Sequence, residues 1–278
     1  MCRLLTTVAL LLPAINIMHC SAQNLYDLGH SKSFAAHLFG NKEYSLAAEE
    51  YERVLHLNPD DTSSRLMLIK SYEKSGNYPE VLGKAVQLYP AVQSMPCDFA
   101  FEYEKTLLLA RQYAQFDSLI NKNNCFQYDQ KNLLLLSASL MENRWDNALQ
   151  RATHLKPEKN KQLLNLQTLA FSTLDLNSKS PALSMCLSAI IPGSGKVYAG
   201  YWKDGLVSFI FVAATGFQAY RGFEKQGAKS CYGWIFAGLS TSFYLGNIFG
   251  SGKAAHQHNI LQKEKIRNEA ERILHNMD

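Results

Sequence analysis

Two short glycine-rich stretches, Gly193-Ser194-Gly195-Lys196 and Gly250-Ser251-Gly252-Lys253, come nearest to chemistry in this sequence. A loop that cradles nucleotide phosphates follows G-x-x-x-x-G-K-[ST]: backbone N–H groups surround the anion, the lysine reaches it and the hydroxyl holds magnesium. Both stretches miss that pattern. Ile190 and Asn247 stand where the first glycine belongs, and Val197 and Ala254 replace the hydroxyl. Neither stretch follows a predicted strand, so no nucleotide site is expected. His256 and His258 are two apart on a predicted helix and point to nearly opposite faces, whereas ligands on one helix want a spacing of three or four. His30, His37, His56 and His154 are scattered over other helices. The six cysteines (Cys2, Cys20, Cys97, Cys125, Cys186 and Cys231) include no C-x-x-C pair, which leaves a thiolate metal site or a thioredoxin-like couple without support. No Ser-His-Asp, Cys-His or paired-carboxylate arrangement can be read. The expectation is a protein that is not an enzyme and uses no cofactor or metal.

The elements that carry these residues fall into distinct zones. A chain of 278 residues has room for one medium or two small domains with buried cores. The net charge of +4 is scattered, with no like-charge run and no interleaving of basic and aromatic residues, so nucleic acid is not an expected partner. Met1-Cys2-Arg3 is followed by an apolar run from Leu4 to Met18 and by Cys20-Ser21-Ala22, with small residues three and one before Gln23. This is the anatomy of a secretory signal peptide over residues 1–22. An uncleaved anchor fits less well, because fifteen residues broken by Pro13 make a poor spanning helix. A lipoprotein reading would acylate Cys20, but His19 is bulky where that signal wants a small residue. Export would place the mature chain in an oxidising compartment.

Residues 23–176 show a helical period, with Pro and Gly confined to the joints. An aromatic marks each joint: Tyr44, Tyr78, Phe116 and Trp145, at intervals of 34, 38 and 29 residues. Ala47, Tyr51, Ala85, Ala148 and Ala152 follow at positions where helices pack closely. The run Ala48-Glu49-Glu50-Tyr51-Glu52-Arg53-Val54-Leu55 ending at Leu57-Asn58-Pro59 resembles the second helix of a tetratricopeptide repeat, and about Ser31 to Asp61 would form one whole repeat. The resemblance implies a solenoid of helical hairpins whose first helices line a concave groove for an extended or helical peptide. The alternative use of such an array is as a stalk or oligomerisation surface. Cys97 and Cys125 both fall just before the first helix of a repeat and could lie side by side; a disulfide and two unpaired thiols both remain open.

Residues 177–181 read as a polar linker, and residues 182–258 as a membrane module. Ala182 to Ile191 would reach only about 15 Å as a helix, half a bilayer core, and suits a re-entrant or interfacial segment. Two spans are expected, about 205–220 and 231–249, joined by a basic loop from Arg221 to Ser230. A third crossing through Ala182 to Ala199 would have to satisfy the break at Pro192-Gly193 at membrane depth. Gly238, Ser242, Gly246 and Gly250 form a small-residue stripe that should face the other span or a second copy of the chain. The pattern Pro192-Gly193-x-Gly195-x-x-Tyr198-x-Gly200, then Asp204-Gly205, then Tyr244-x-Gly246-Asn247 and Asn259, resembles a small bacterial two-helix membrane domain of unassigned function. The resemblance implies an anchor and no reaction. Residues 259–278 read as a separate amphipathic helix with Ile266, Ala270, Ile273, Leu274 and Met277 on one stripe.

Together these features lead to an all-α protein: a tetratricopeptide-like solenoid in the periplasm, followed by a two-helix module in the bacterial inner membrane. Its expected role is a scaffold that binds a protein or peptide partner. The rival expectation is a subunit of a small oligomeric membrane assembly in envelope biogenesis or transport, with membrane lipid around it and a homo-oligomer held through the glycine stripe.

Overall fold

A computed structural model of the chain describes residues 27–156 and 160–277. The expected signal peptide, with Cys2 and Cys20, lies outside the described residues. The described residues are helical, with thirteen α-helices and no strand. They fall into two compact units that divide between Ser75 and Gly76.

The first unit holds α1 (Leu28–Gly40), α2 (Tyr44–Leu57) and α3 (Thr62–Lys74). Asp27 caps α1 by accepting from the His30 N–H at 2.8 Å. Asp61 caps α3 the same way through the Ser64 N–H at 3.2 Å, and its other oxygen takes a 2.6 Å bond from Lys32 Nζ on α1. These carboxylates satisfy amide groups that the first helical turn leaves without partners. The core between the helices is small: Ala35, Leu38, Ala47, Ala48, Tyr51, Val54, Leu68 and Ile69 are all buried.

The second unit begins with α4 (Tyr78–Leu88), α5 (Cys97–Leu109), α6 (Tyr113–Leu119), α7 (Tyr128–Met141), α8 (Trp145–His154) and α9 (Lys161–Ser172). Four joints along the chain are built alike. Lys42, Gly76, Arg111 and Asn143 each adopt a positive φ between 59° and 78°, and an aromatic residue opens the next helix two positions later. The turn closes with an N–H bond from the residue between: Glu43 to the Leu38 carbonyl, Gln112 to Leu107 and Arg144 to Ser139. This register corrects the expected third joint. Its aromatic is Tyr113, and Phe116 occupies the buried position three residues on, where Ala47, Val81 and Ala148 stand in the other joints. The aromatic residues therefore recur at intervals of 34, 35 and 32 residues, more evenly than expected. Arg111 is neither Gly nor Asn, so the sequence carried no left-handed signal at that joint.

The chain then runs through α10 (Pro181–Ile190), α11 (Ser194–Tyr198), α12 (Trp202–Gln226) and α13 (Cys231–His275). Ser180 caps α10, and Pro181 fits its first turn, where no amide partner is lost. Gly193, at φ +90°, ends the apolar run and turns α11 back onto α10, so Ala182 to Ala199 is not one crossing helix. α12 extends well past the expected 205–220. Arg221 to Gln226 belong to it, and a short 3₁₀ turn over Gly227–Lys229 replaces most of the expected basic loop. α13 is a single helix of 45 residues. No break falls at Asn259, so the tail is not a separate helix: it continues the second expected span. Its far end packs on α5, α7 and α9, burying Ile266, Ala270, Ile273 and Leu274. The side of α13 opposite its solvated residues thus changes partner along its length, from α10, α11 and α12 to α5, α7 and α9.

Candidate functional site

Two places in the second unit collect the residues that could act. The first is the face of α5 and α7, which each open a hairpin, and of α9, the helix that follows the last of them. The amphipathic stripe of α13 fills it, and an ion pair from Arg111 to Glu271 at 3.0 Å pins its edge. Burial here is deep enough to take in charge. Lys105 and Glu102 pair at 2.5 Å on α5, both almost wholly buried. Glu104 is buried beside them and accepts a hydrogen bond from Asn123; desolvation pushes its carboxyl up to about 7, opposed by that hydrogen bond and by the charge of Lys131. A carboxyl that titrates near neutrality is a recognised mark of functional sites, and equally of buried structural pairs.

Cys97 opens α5, and Cys125 precedes α7. Both thiols are free, and they lie close enough to influence one another. Desolvation, then the bond to Cys97, holds the Cys125 thiol up to about 11. The loop before α7 is fixed against α5 by the edge-to-face contact of Phe101 with Phe126 at 6.1 Å and by the Asn123 bond to Glu104.

The second place is the meeting of α10, α11, α12 and α13, where most of the P-G-x-G and Y-x-G-N residues converge. Gly193 and Gly205 touch: a Cβ on Gly193 would lie 2.0 Å from the Gly205 carbonyl oxygen. A Cβ on Gly195 would lie 1.8 Å from the Ser184 carbonyl oxygen. These backbones approach closely only because nothing projects between them. Around them three buried serines satisfy one another. Ser184 Oγ lies 2.9 Å from the Gly195 carbonyl and 2.8 Å from that of Ser251, Ser188 Oγ lies 2.6 Å from Ser251 Oγ, and the Gly195 N–H donates to Ser188 Oγ at 3.0 Å. Tyr244 reaches across to the Ala189 carbonyl at 2.6 Å. Asn259 binds both backbone groups of Lys179 at 2.8 Å, and Tyr198 accepts from the Ser180 N–H at 3.2 Å while Lys179 lies over its ring. Gly200 provides the left-handed turn before Trp202, at φ +93°. Pro192 precedes the bend, and Asp204 is exposed on the first turn of α12. The serines were missed in the sequence. Their signal was Ser184 and Ser188 four apart on an otherwise apolar helix, a spacing that places both on one face.

Of the two faces expected for the glycine stripe, the other span or a second copy of the chain, the contacts within this chain do not supply the first at Gly238 and Gly246. α12 and α13 cross through Gly222 against Gly233 and Gly216 against Ser240, whereas Gly238 and Gly246 have no neighbour within 4 Å of a Cβ. Gly250 lies beneath the Lys196 side chain. Lys196 Nζ donates to Ser208 Oγ on α12 at 2.8 Å. It opens on a cavity of about 210 Å³ with Ser242, Gly246 and Asn247 on the α13 side. Asn247 is 4% exposed, and neither its amide nitrogen nor its oxygen has a hydrogen-bond partner. Among the described residues no group of three His, Cys, Asp or Glu side chains could hold a metal ion.

One helix, Trp202–Lys229 with its final 3₁₀ turn, is long and apolar enough to cross a membrane; its most apolar 18-residue stretch has a mean hydropathy of 1.2, and its apolar side chains point outward. Comparison with protein families, with curated proteins and with solved structures finds no match.

Proposed function

We propose that the chain is a membrane-anchored scaffold. In this reading tetratricopeptide-like hairpins stand on the periplasmic side of a bacterial inner membrane. A two-helix module, α12 with the first half of α13, holds them there, and they offer a surface to a protein or peptide. The observation that carries the proposal is the outward apolar face of α12, with Leu206, Val207, Phe209, Ile210, Phe211 and Phe217 all exposed. Trp234, Ile235, Leu239, Phe243 and Phe249 extend it along α13. A contiguous patch of this size on a protein in water marks a binding or membrane surface. Even joint spacing near 34 residues supports the tetratricopeptide resemblance. Because the tail of α13 already occupies α5, α7 and α9, the surface proposed for the partner is that of the first hairpin, where Phe34 is exposed on α1.

A photo-crosslinking residue at Phe34 of the full chain, activated in intact cells, tests this. A single recurrent adduct of defined mass is expected; its absence from membrane-extracted protein overturns the partner assignment. The rival reading, an oligomeric membrane assembly, draws on the open space beside Gly238 and Gly246. Gly238→Cys would then give an efficient disulfide-linked dimer, whereas the scaffold reading expects none.

A further inference from the structure

We propose that the cavity beside Lys196 is a headgroup site for an anionic phospholipid, the phosphate held by Lys196 and the rest of the headgroup by Ser242 and Asn247. The proposal rests on the membrane placement of α12 and α13 proposed for the anchor. Three observations converge on it. Lys196 is one cation with one hydrogen-bond acceptor, Ser208 Oγ, and has no carboxylate partner among the described residues. An ammonium offers three donors, and phosphate oxygens are strong acceptors for them. A lysine placed among spanning helices without an acid beside it marks a ligand pathway or site.

Asn247 supplies the second observation. Asn247 lines the same cavity, and its amide, buried behind that wall, has both its donor and its acceptor without partners. Leaving such a group unmet is costly, so it calls for a ligand that accepts at the nitrogen and donates at the oxygen. A phosphate ester with a free hydroxyl does both. Third, the cavity has the size and walls of a headgroup pocket. Its volume of about 210 Å³ is that of about seven waters. Phe211 and Phe243, with ring centroids 5.4 Å apart, line it and face outward, and Gly246 leaves open space beside them. An acyl chain could leave along that apolar wall. A free phosphate would gain nothing from it.

The test uses the full chain in detergent. Release of the protein from membranes without detergent would remove the anchoring reading, whatever its lipid preference. For protein that needs detergent, native mass spectrometry compares phosphatidylglycerol, phosphatidylcholine and inorganic phosphate. Retention of phosphatidylglycerol over phosphatidylcholine is expected, with Lys196→Met weakening it roughly tenfold. Asn247→Leu removes the unmet amide without opening a hole. It should unfold at a higher temperature than the parent when no lipid is bound, and bind phosphatidylglycerol no better than phosphatidic acid. Equal retention of the two lipids, indifference to Lys196→Met, or a lower melting temperature for Asn247→Leu overturns the site. Displacement of the lipid by inorganic phosphate at matched concentration assigns the cavity to free phosphate and overturns the lipid.

Discussion

At the scale of single residues the glycines of α11 and α13 differ sharply in what they are for. Gly195 faces the Ser184 carbonyl so closely that Gly195→Ala must push α11 off α10, and the buried serine network goes with it. A loss of about 1–3 kcal/mol, the range for overpacking, is expected in thermal unfolding of the detergent-extracted protein. Gly246→Ala meets open space on a helix and should be neutral or stabilising by up to about 1 kcal/mol. Glu104 gives a pH signature. Its folded pKa of about 7 lies above the ordinary 4.5, so between these values the folded state binds more protons than the unfolded one. Its contribution is fully present below pH 4.5 and is lost as pH rises through about 7. Melting temperature should therefore fall between pH 5 and 8, and Glu104→Gln should flatten that slope. The chemistry read from residue types fared unevenly. Gly193, Gly195, Gly205 and Asn259 stood out only as positions of a family pattern, and their close backbone contacts and the paired bonds of Asn259 to Lys179 appear once the helices cross. Ser184, Ser188 and the partnerless state of Asn247 did not stand out, since a lone polar residue in an apolar run shows its neighbours only once the helices cross.

At the scale of elements, the helices were legible from their aromatic joints, and the third joint slipped because two aromatic residues, Tyr113 and Phe116, stand three apart there and only the fold shows which opens α6. The tail was legible as an amphipathic stripe but not as the same helix as the second expected span. Asn259 and His258 look like an interruption in sequence, yet straight-chain residues on either side keep the helix going. The stripe's docking on α5, α7 and α9 makes a direct prediction. Leu274→Ala, at a fully buried site, should cost about 2–5 kcal/mol in the stability of that interface. Hydrogen exchange should read it locally: amides of α5 and α7 become less protected, while those of α10 and α12 do not change. Uniform loosening across all four helices would mean the tail is not an independent clamp on this face.

At the scale of the molecule, compartment and anchoring are separable. The adjacent Cys97 and Cys125 thiols act as a built-in reporter of the first. Outside the cytoplasm, exchange with an oxidised dithiol carrier would join the two sulfurs and hand both electrons and both protons to the carrier. Alkylation followed by mass spectrometry of protein taken from cells should then find this pair blocked; free thiols at both positions in fresh extracts would argue against export. The expectation of a periplasmic address drew on residues 1–22, which lie outside the described residues, and on charge; long-range packing could not be read at all, because contacts between residues 100 and 270 leave no local period. The 45-residue α13 also has a mechanical side. At 1.5 Å per residue it is a strut of roughly 65 Å, without a proline along it, seated at one end against α10, α11 and α12 and at the other against α5, α7 and α9. Such a member does not flex at a linker; it tilts as one piece. Under the anchoring proposed above, a displacement of its near half by lateral crowding or bilayer thinning would be carried by the same helix to α5, α7 and α9.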